Sequence, residues 1–225
     1  MKKLVAIVCI IVMMSTVAVS ALAAGSIVEP QVIVVPETTQ DTTKTEVKIK
    51  KTKTVVAEQI EYMVVDADPA RYDIEALGNM VKAVNSEDTT VTVKDVVLGL
   101  ADLNDNITDE GVATIESKDG TAKTVDLAGY DFAGKFFDIM MKKGGVLMPF
   151  NGAAVTNADV KVVFDVLKGA EAADLENYLI LLVNPITGQV EFIELDADTF
   201  DSANGSLKVK FPFMGTFTLI QKIVE

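Results

Sequence analysis

Carboxylates are the most abundant side chains in this chain that could take part in acid–base chemistry. The 225 residues include 33 aspartates and glutamates and no histidine. Without histidine the chain cannot form a Ser-His-Asp triad, a Cys-His pair or a histidine-ligated zinc site. A glycosidase needs only two carboxyl groups, about 5 Å or about 6.5–9.5 Å apart. A chain with 33 acids always contains candidate pairs, and their presence alone therefore identifies no catalytic residue.

Other chemically useful side chains are few. The single cysteine, Cys9, lies in an apolar N-terminal run. The single arginine, Arg71, lies beside Asp73 and Glu75, where a local ion pair is a simpler role than an anion clamp. Sugar-stacking platforms are scarce, because tryptophan is absent and there are four tyrosines: Tyr62, Tyr72, Tyr130 and Tyr178. We predict no catalytic residue, no cofactor-binding residue and no cofactor.

Two acidic segments could offer oxygen ligands to calcium. Residues 102–109 read DLNDNITD and begin like an EF-hand loop. However, Ile107 replaces the glycine of the sixth position, and Ala113 replaces the acid of the twelfth. The second segment contains three aspartates, Asp196, Asp198 and Asp201. We predict polar loops and no metal site, and a weak calcium site is the alternative for either segment.

The N-terminus predicts export. Lys2 and Lys3 precede an apolar run over residues 4–14. Ala21-Leu22-Ala23 supplies the small residues that a signal peptidase recognises. We predict a signal peptide over residues 1–23 and a secreted, extracellular or cell-surface location. An uncleaved anchor is the alternative, because about 20 apolar residues can span a bilayer.

The charge of the chain bears on its partners. The formal net charge is −13, and loss of Lys2 and Lys3 with the signal peptide makes it more negative. Such a charge argues against nucleic acid and anionic membrane surfaces as partners. We predict an unknown protein or a cell-wall component as the partner. Membrane contact is expected only through the N-terminal segment, if that segment stays uncleaved.

Residues 24–57 are predicted to form a spacer rich in threonine and lysine. Its positive charges are concentrated in five lysines: Lys44, Lys48, Lys50, Lys51 and Lys53. Apolar side chains are too few to offset the entropy of ordering this segment. A solvated tether is expected, and contact with anionic wall polymers is the alternative. Partial alternation between Glu46 and Val56 allows a strand to begin there.

Residues 58–108 are predicted to be a helical region with two amphipathic helices. Asp68-Pro69 is a helix start signal, and Asn85-Ser86 ends the first helix. Its apolar face contains Ile74, Leu77, Met80, Val81 and Val84. The second helix begins near Thr92, with Asp95 as the acid of a capping box. Its stripe contains Val93, Val96, Val97, Leu100 and Leu103. We expect both stripes to lie in a core, with a partner groove as the alternative.

Residues 109–225 show the period of two that is typical of strands. Eight or nine strands are predicted, in segments such as VATIES, TAKTVDL, KFFDIMM, VLMPF, DVKVVFDVL and QVEFIEL. The segment YLILLV is apolar on both faces, which is typical of a central strand. The final segment, LKVKFPFMGTFTLIQK, is expected to close the core with Leu207, Val209, Phe211, Phe213, Phe217 and Leu219. The predicted fold class is α+β: a small helical region followed by an antiparallel Ig-like β-sandwich.

The final strands resemble those of uncharacterised exported proteins of gut Firmicutes, especially clostridia. The matching pieces are the turn at residues 184–188, NPITG, and the aromatic-glycine-aromatic segment at residues 211–217, FPFMGTF. The resemblance covers the C-terminal strands and the signal peptide. It implies an extracellular Ig-like sandwich and assigns no activity.

Together these patterns predict an exported, non-enzymatic extracellular or cell-surface protein, acting as a binding, interaction or structural module. The signal peptide, the strand pattern and the missing catalytic residue types support this prediction. One alternative is a carboxylate-based glycan hydrolase or a glycan-binding module. Another is a purely structural subunit that assembles through a sheet edge.

Overall fold

The computed structural model describes residues 31–34, 52–56, 60–87, 90–117, 120–150 and 159–223. The predicted signal peptide and most of the predicted spacer lie outside the described residues. The helices are α1 (Glu75–Asn85) and α2 (Val93–Leu98). The strands are β1 (Gln31–Val34), β2 (Thr52–Val56), β3 (Ile60–Asp66), β4 (Val112–Glu116), β5 (Ala122–Asp126), β6 (Tyr130–Phe132), β7 (Phe137–Lys143), β8 (Val146–Leu147), β9 (Asp159–Val163), β10 (Tyr178–Val183), β11 (Val190–Glu194), β12 (Ser206–Lys210) and β13 (Gly215–Lys222).

The described strands form one large sheet and two two-stranded sheets. The large sheet has the order β1-β2-β3-β7-β13-β10-β11, with β6 paired to β13 and β8 paired to β7. The two-stranded sheets are β9–β12, whose strands are not consecutive in the chain, and the β4–β5 hairpin. Every pairing among these strands is antiparallel. The α+β class and the layered antiparallel sheets are therefore confirmed. Ten described strands follow residue 109, rather than eight or nine, and the short β6 and β8 make the difference.

Strand β3 lies where the sequence analysis predicted helix. Ile60, Tyr62 and Val64 alternate with more polar or less buried positions, and β3 pairs with β7 along its whole length. Because this period of two precedes Asp68-Pro69, the region predicted as helical contains a strand followed by helices. Strand β2 pairs with the start of β3, as the alternation before Val56 allowed.

The central sheet separates two cores, and β10 contributes to both. Every residue of β10 is buried. Ile180 and Leu182 lie in one core, and Leu179 and Leu181 lie in the other. The prediction that YLILLV is a central strand is confirmed, because a strand covered on both faces needs apolar side chains at every position.

The two-stranded β9–β12 sheet contributes to the first core, here called the strand-side core. The segment LKVKFPFMGTFTLIQK supplies two of its strands, β12 and β13, which belong to different sheets. All six of its predicted core residues are buried there: Leu207, Val209, Phe211, Phe213, Phe217 and Leu219. Exposed Pro212 lies between the two strands. A Cβ atom at Gly215 would collide with the carbonyl oxygen of Val183, so glycine lets β13 approach β10 closely.

Helices α1 and α2 and the β4–β5 hairpin form the second core, here called the helix-side core. The buried residues that α1, α2 and the turn after α2 contribute to it are Leu77, Val81, Val84, Val93, Val96, Val97 and Leu100. They pack with Leu179, Leu181 and Ile220 of the sheet. Seven of the ten core positions predicted from helical spacing are thus confirmed as buried, Ile74 and Met80 are partly buried against this core, and Leu103 is the exception. The two helices also share a core with strands beyond residue 108, so the predicted division there separates elements that pack together.

The exception is Leu103, whose side chain is 57 % exposed. Helix α2 ends at Leu98, and Leu103 belongs to a separate 3₁₀ turn, Ala101–Leu103, so the helical spacing no longer applies. Its side chain covers Gly188, where a Cβ atom would collide with it. Glycine is needed at this position for a second reason, since its φ of 77° lies in the left-handed region.

The predicted helix starts are confirmed at one helix and shifted at the other. Thr92 and Asp95 form the capping box of α2 as predicted. Asp68 instead caps a 3₁₀ turn, Pro69–Arg71, and α1 begins four residues later at Glu75. The reason is that Tyr72 and Ile74 have extended backbone, which interrupts the helix before α1 starts.

Candidate functional site

The most unusual polar group of the described chain is Asp138, in the middle of β7. Its strand neighbours across the sheet are Val65 in β3 and Thr216 in β13. The next residue, Ile139, faces the strand-side core, so Asp138 faces the opposite side, towards the helices. Its exposed fraction is 0 %. An aspartate is almost never buried to this degree unless its carboxylate has partners.

Two donors to Asp138 come from the connection between β3 and α1, residues 67–74. The backbone N–H of Asp68 donates to Oδ2 over 2.9 Å. The hydroxyl of Tyr72 donates to Oδ1 over 2.7 Å. A single carboxylate therefore holds two points of this connection against the sheet, and we call Asp138, Tyr72 and Asp68 the buried carboxylate cluster.

Burial decides the protonation of this cluster. Loss of hydration raises the pKa of Asp138 to about 6, and the bonds from Asp68 and Tyr72 offset only part of that rise. Burial also raises the pKa of Tyr72, and the charge of Asp138 raises it further. Tyr72 consequently keeps its proton at neutral pH and remains the donor in this pair.

Arg71 forms a local ion pair, as predicted, but its partner is Asp68 rather than Asp73 or Glu75. The distance from Nε to Oδ2 of Asp68 is 3.0 Å, and both side chains are about two-fifths exposed. Asp68 is closer because the 3₁₀ turn places residues three apart on the same side. An exposed pair of this kind contributes little stability.

A second anchor holds the other end of the same connection. The N–H groups of Asp73 and Ile74 donate to the carbonyl oxygen of Pro185 over 3.1 and 3.2 Å. Pro185 lies in the NPITG turn, which Asn184 shapes by accepting from the N–H groups of Ile186 and Thr187. The β3–α1 connection is therefore fixed to the sheet at one end and to the β10–β11 turn at the other.

Asn104, within the first candidate calcium segment, is a third buried polar residue that joins two elements of the fold. Its amide nitrogen donates to the carbonyl oxygens of Leu100 and Gly188 over 2.8 and 2.9 Å. Its amide oxygen accepts from the N–H of Val190 over 2.8 Å. The side chain joins the end of α2 to β11, which gives it a structural role in place of metal ligation.

The remaining acids of the two candidate calcium segments do not converge. Among the described residues, no group of three or more acidic, histidine or cysteine side chains is placed to hold a metal ion. Asp196 caps a 3₁₀ turn by accepting from the N–H of Asp198. The carboxylate of Asp201 accepts from the N–H of Ala203 and from the side-chain amide of Asn204. These contacts are those of polar turns.

The buried carboxylate cluster has the chemistry of an acid–base pair without the access. A carboxyl group with a pKa near the working pH suits proton transfer. Asp138, however, is closed off from solvent, and its oxygens are occupied by the groups that hold the β3–α1 connection. The hydrogen bonds of Asp138 therefore fasten the β3–α1 connection to strand β7. Asp138 is not among the residues predicted from the sequence. The available signal is the segment KFFDIMM, in which one aspartate lies between apolar residues on both sides.

Comparison with known proteins does not place the chain in a family. No family model matches it, no curated protein matches its sequence, and no solved structure matches its fold. The resemblance to exported proteins of gut Firmicutes therefore stays a prediction. Over the part of the chain that the structure describes, no helix is both long enough and apolar enough to cross a bilayer.

Proposed function

We propose that this chain is an exported, non-enzymatic module that binds another component at the cell surface. The proposal rests mainly on the burial of Asp138, the carboxyl group whose pKa is raised to about 6. Asp138 has a pKa suited to catalysis, yet it is fully buried and its oxygens hold the β3–α1 connection. A buried carboxyl group that holds a connection in place stabilises the fold and has no access to a substrate.

Capped strands favour a binding module over a subunit that assembles through sheet edges. Strand β11 ends the sheet order, and Asn104 occupies the N–H of Val190 on it. In β12 the hydroxyl of Thr199 accepts from the N–H of Lys208 over 3.1 Å. Side chains that occupy edge groups in this way hinder pairing with another chain.

The tyrosines weigh against a glycan hydrolase or a glycan-binding module. Tyr62, Tyr130 and Tyr178 are buried. Tyr72 packs edge-on against Phe150 with ring centroids 6.0 Å apart, and its hydroxyl is bound to Asp138. A sugar-binding surface needs exposed aromatic faces, and these four rings are used inside the fold.

The test combines location, binding and turnover. Cells that make the chain are fractionated, and the exported form is incubated with cell-envelope material and with purified polysaccharides. We expect the chain outside the cytoplasm, saturable retention on envelope material and no release of soluble fragments. Retention in the cytoplasm would contradict the export part. Hydrolysis that disappears on substitution of a single aspartate or glutamate would overturn the non-enzymatic part.

A further inference from the structure

The hairpin formed by β7 and β8 extends beyond the pairing of β7 with β13. Lys142 pairs with Leu147 and Lys143 pairs with Val146, on either side of a Gly144-Gly145 turn. Both glycines have positive φ, 57° and 86°, which allows the tight reversal. The described pairing of β7 with β13 covers residues 137–139. Residues 142–147, here called the hairpin tip, therefore lie past the end of that pairing.

The hairpin tip exposes apolar side chains. Val146 is 66 % exposed and Leu147 is 41 % exposed. Across the described residues, two other large apolar side chains are exposed, Leu103 and Ile223. Leu103 already covers Gly188, whereas Val146 and Leu147 are adjacent and stand at the end of a hairpin. An adjacent pair of aliphatic side chains that is exposed among the described residues is a feature that a partner can bury.

Each face of the hairpin tip combines one aliphatic and one basic side chain. Residues that pair across two strands point to the same face, so Val146 accompanies Lys143 and Leu147 accompanies Lys142. On the other side of β7, Glu61 lies opposite Lys142, and the uncharged Ile60 lies opposite Lys143. The tip is therefore amphipathic on both faces, with Lys143 as its least compensated charge.

We propose that the hairpin tip inserts into the surface of an anionic lipid bilayer. Val146 and Leu147 would enter the boundary of the acyl chains, while Lys142 and Lys143 extend their amines to the headgroup phosphates. A wall polymer offers anions but no apolar phase for the aliphatic pair. The negative net charge does not prevent this contact, because salt screens charges more than about 8–10 Å away. The local attraction to the bilayer therefore depends mainly on Lys142 and Lys143.

The proposal rests on the proposed function, because export brings the hairpin tip next to a membrane surface. The test uses the absence of tryptophan from the chain. Val146→Trp in the full exported chain creates a single fluorescent probe at the tip. Thr124→Trp, at an exposed position of β5, is the matched control. Because any N-terminal anchor would hold both variants on vesicles equally, a difference between them reports on the tip.

We expect Val146→Trp emission to shift to shorter wavelength with vesicles of equal parts phosphatidylglycerol and phosphatidylcholine. Pure phosphatidylcholine should give a weaker response, and Thr124→Trp should give none. Adding Lys142→Gln and Lys143→Gln to Val146→Trp should weaken vesicle binding about 30-fold, because each lysine contributes about fivefold at an anionic surface.

Three results would overturn the proposal. One is the same spectrum for Val146→Trp with and without anionic vesicles. Another is a shift produced by an anionic wall polymer alone, which would make that polymer the occupant. The third is a shift that depends on protein concentration without lipid, which would indicate a second copy of the chain. None of these results bears on hydrolysis or cell location, so failure here is distinct from failure of the proposed function.

Discussion

Both faces of the central sheet pack against an apolar core, and the helix side adds buried polar contacts. On the strand side, β13 presents Phe217 and Leu219 to an apolar core. On the helix side, the same strand presents Thr216 and Thr218, whose hydroxyls donate to backbone carbonyl oxygens. Asp138 lies beside Thr216 on that face. Regular hairpins can be packed by apolar contact alone, whereas irregular connections carry backbone groups that need buried polar partners.

The largest effect should come from the apolar face. Phe217 is fully buried, and its ring centroid lies 4.9 Å from that of Phe211. Phe217→Ala should lower the free energy of unfolding by about 3–5 kcal/mol, because it removes apolar contact and leaves a cavity. Denaturant unfolding measures the change. Val146→Ala, at an exposed position, is the control and should be close to neutral; equal losses in the two variants would mean that Phe217 is not core.

The next largest effect should come from a polar link of the helix side. Asn104→Ala leaves the N–H of Val190 and the carbonyl oxygen of Gly188 without their partner. A loss of about 2–3 kcal/mol is expected, since each unsatisfied buried group costs about 1–3 kcal/mol. Asn106→Ala is the matched control on the same loop, where the amide makes one long contact of 3.4 Å. If both variants unfold alike, the link contributes nothing specific.

The share of the strand-side core that comes from β10, β12 and β13 could be predicted from the sequence, whereas Tyr62 and Val64, which also belong to this core, lie in a strand that was predicted as helix. Alternation identified the inward residues of β12 and β13, and the doubly apolar YLILLV identified β10 as central. The capping box of α2 was equally readable, because it depends on two residues three positions apart. These features share one property: their signal is local, repeated and set by side-chain polarity.

The helix side was only partly predictable, because its polar links are non-local. Asp138 and Asp68 are 70 residues apart, and Asn104 and Val190 are 86 apart. Nothing in the composition of either segment indicates the partner. Strand order is hidden for the same reason: β13 lies between β7 and β10, a placement that turn residues do not encode. Leu103 shows the related limit that helical spacing cannot reveal where a helix ends.

A pH experiment separates the polar face from the apolar one. Asp138 has a pKa of about 6 in the folded chain against an ordinary value of 3.8. The folded state therefore binds the proton more tightly, so this group favours folding at low pH and the benefit is lost as pH rises from about 4 to above 6. Between pH 4.5 and 7.5 the loss is about 2 kcal/mol. Asp138→Asn should remove this component.

The measurement is the difference in unfolding free energy between wild type and Asp138→Asn at each pH, since other carboxylates cancel in that difference. Between pH 4.5 and 7.5 the unfolding free energy of the wild type should fall by about 2 kcal/mol relative to that of Asp138→Asn. Asp131→Asn, an exposed aspartate of β6, is the charge-matched control. A difference independent of pH would show that Asp138 is not a buried ionisable group. Phe217→Ala should leave the pH profile unchanged, because an apolar truncation removes no proton site.

The smallest effect tests whether the helix side is also less cooperative. The hydroxyl of Thr92 accepts from the N–H of Asp95 over 3.1 Å, and the carboxylate of Asp95 accepts from the N–H of Thr92 over 2.9 Å. Thr92→Ala should cost about 1 kcal/mol, and Thr92→Ser should restore most of it. A double-mutant cycle with Asp95→Ala measures the coupling in the box.

The location of that loss decides the comparison between the faces. Helix α2 has six residues, so loss of its cap should speed hydrogen exchange of its own amides more than that of β10. Exchange that accelerates equally in α2 and β10 would mean that the chain opens only as a whole, and that the two faces are one cooperative unit. Exchange that accelerates only in α2 would show that this helix opens separately while the central sheet stays closed.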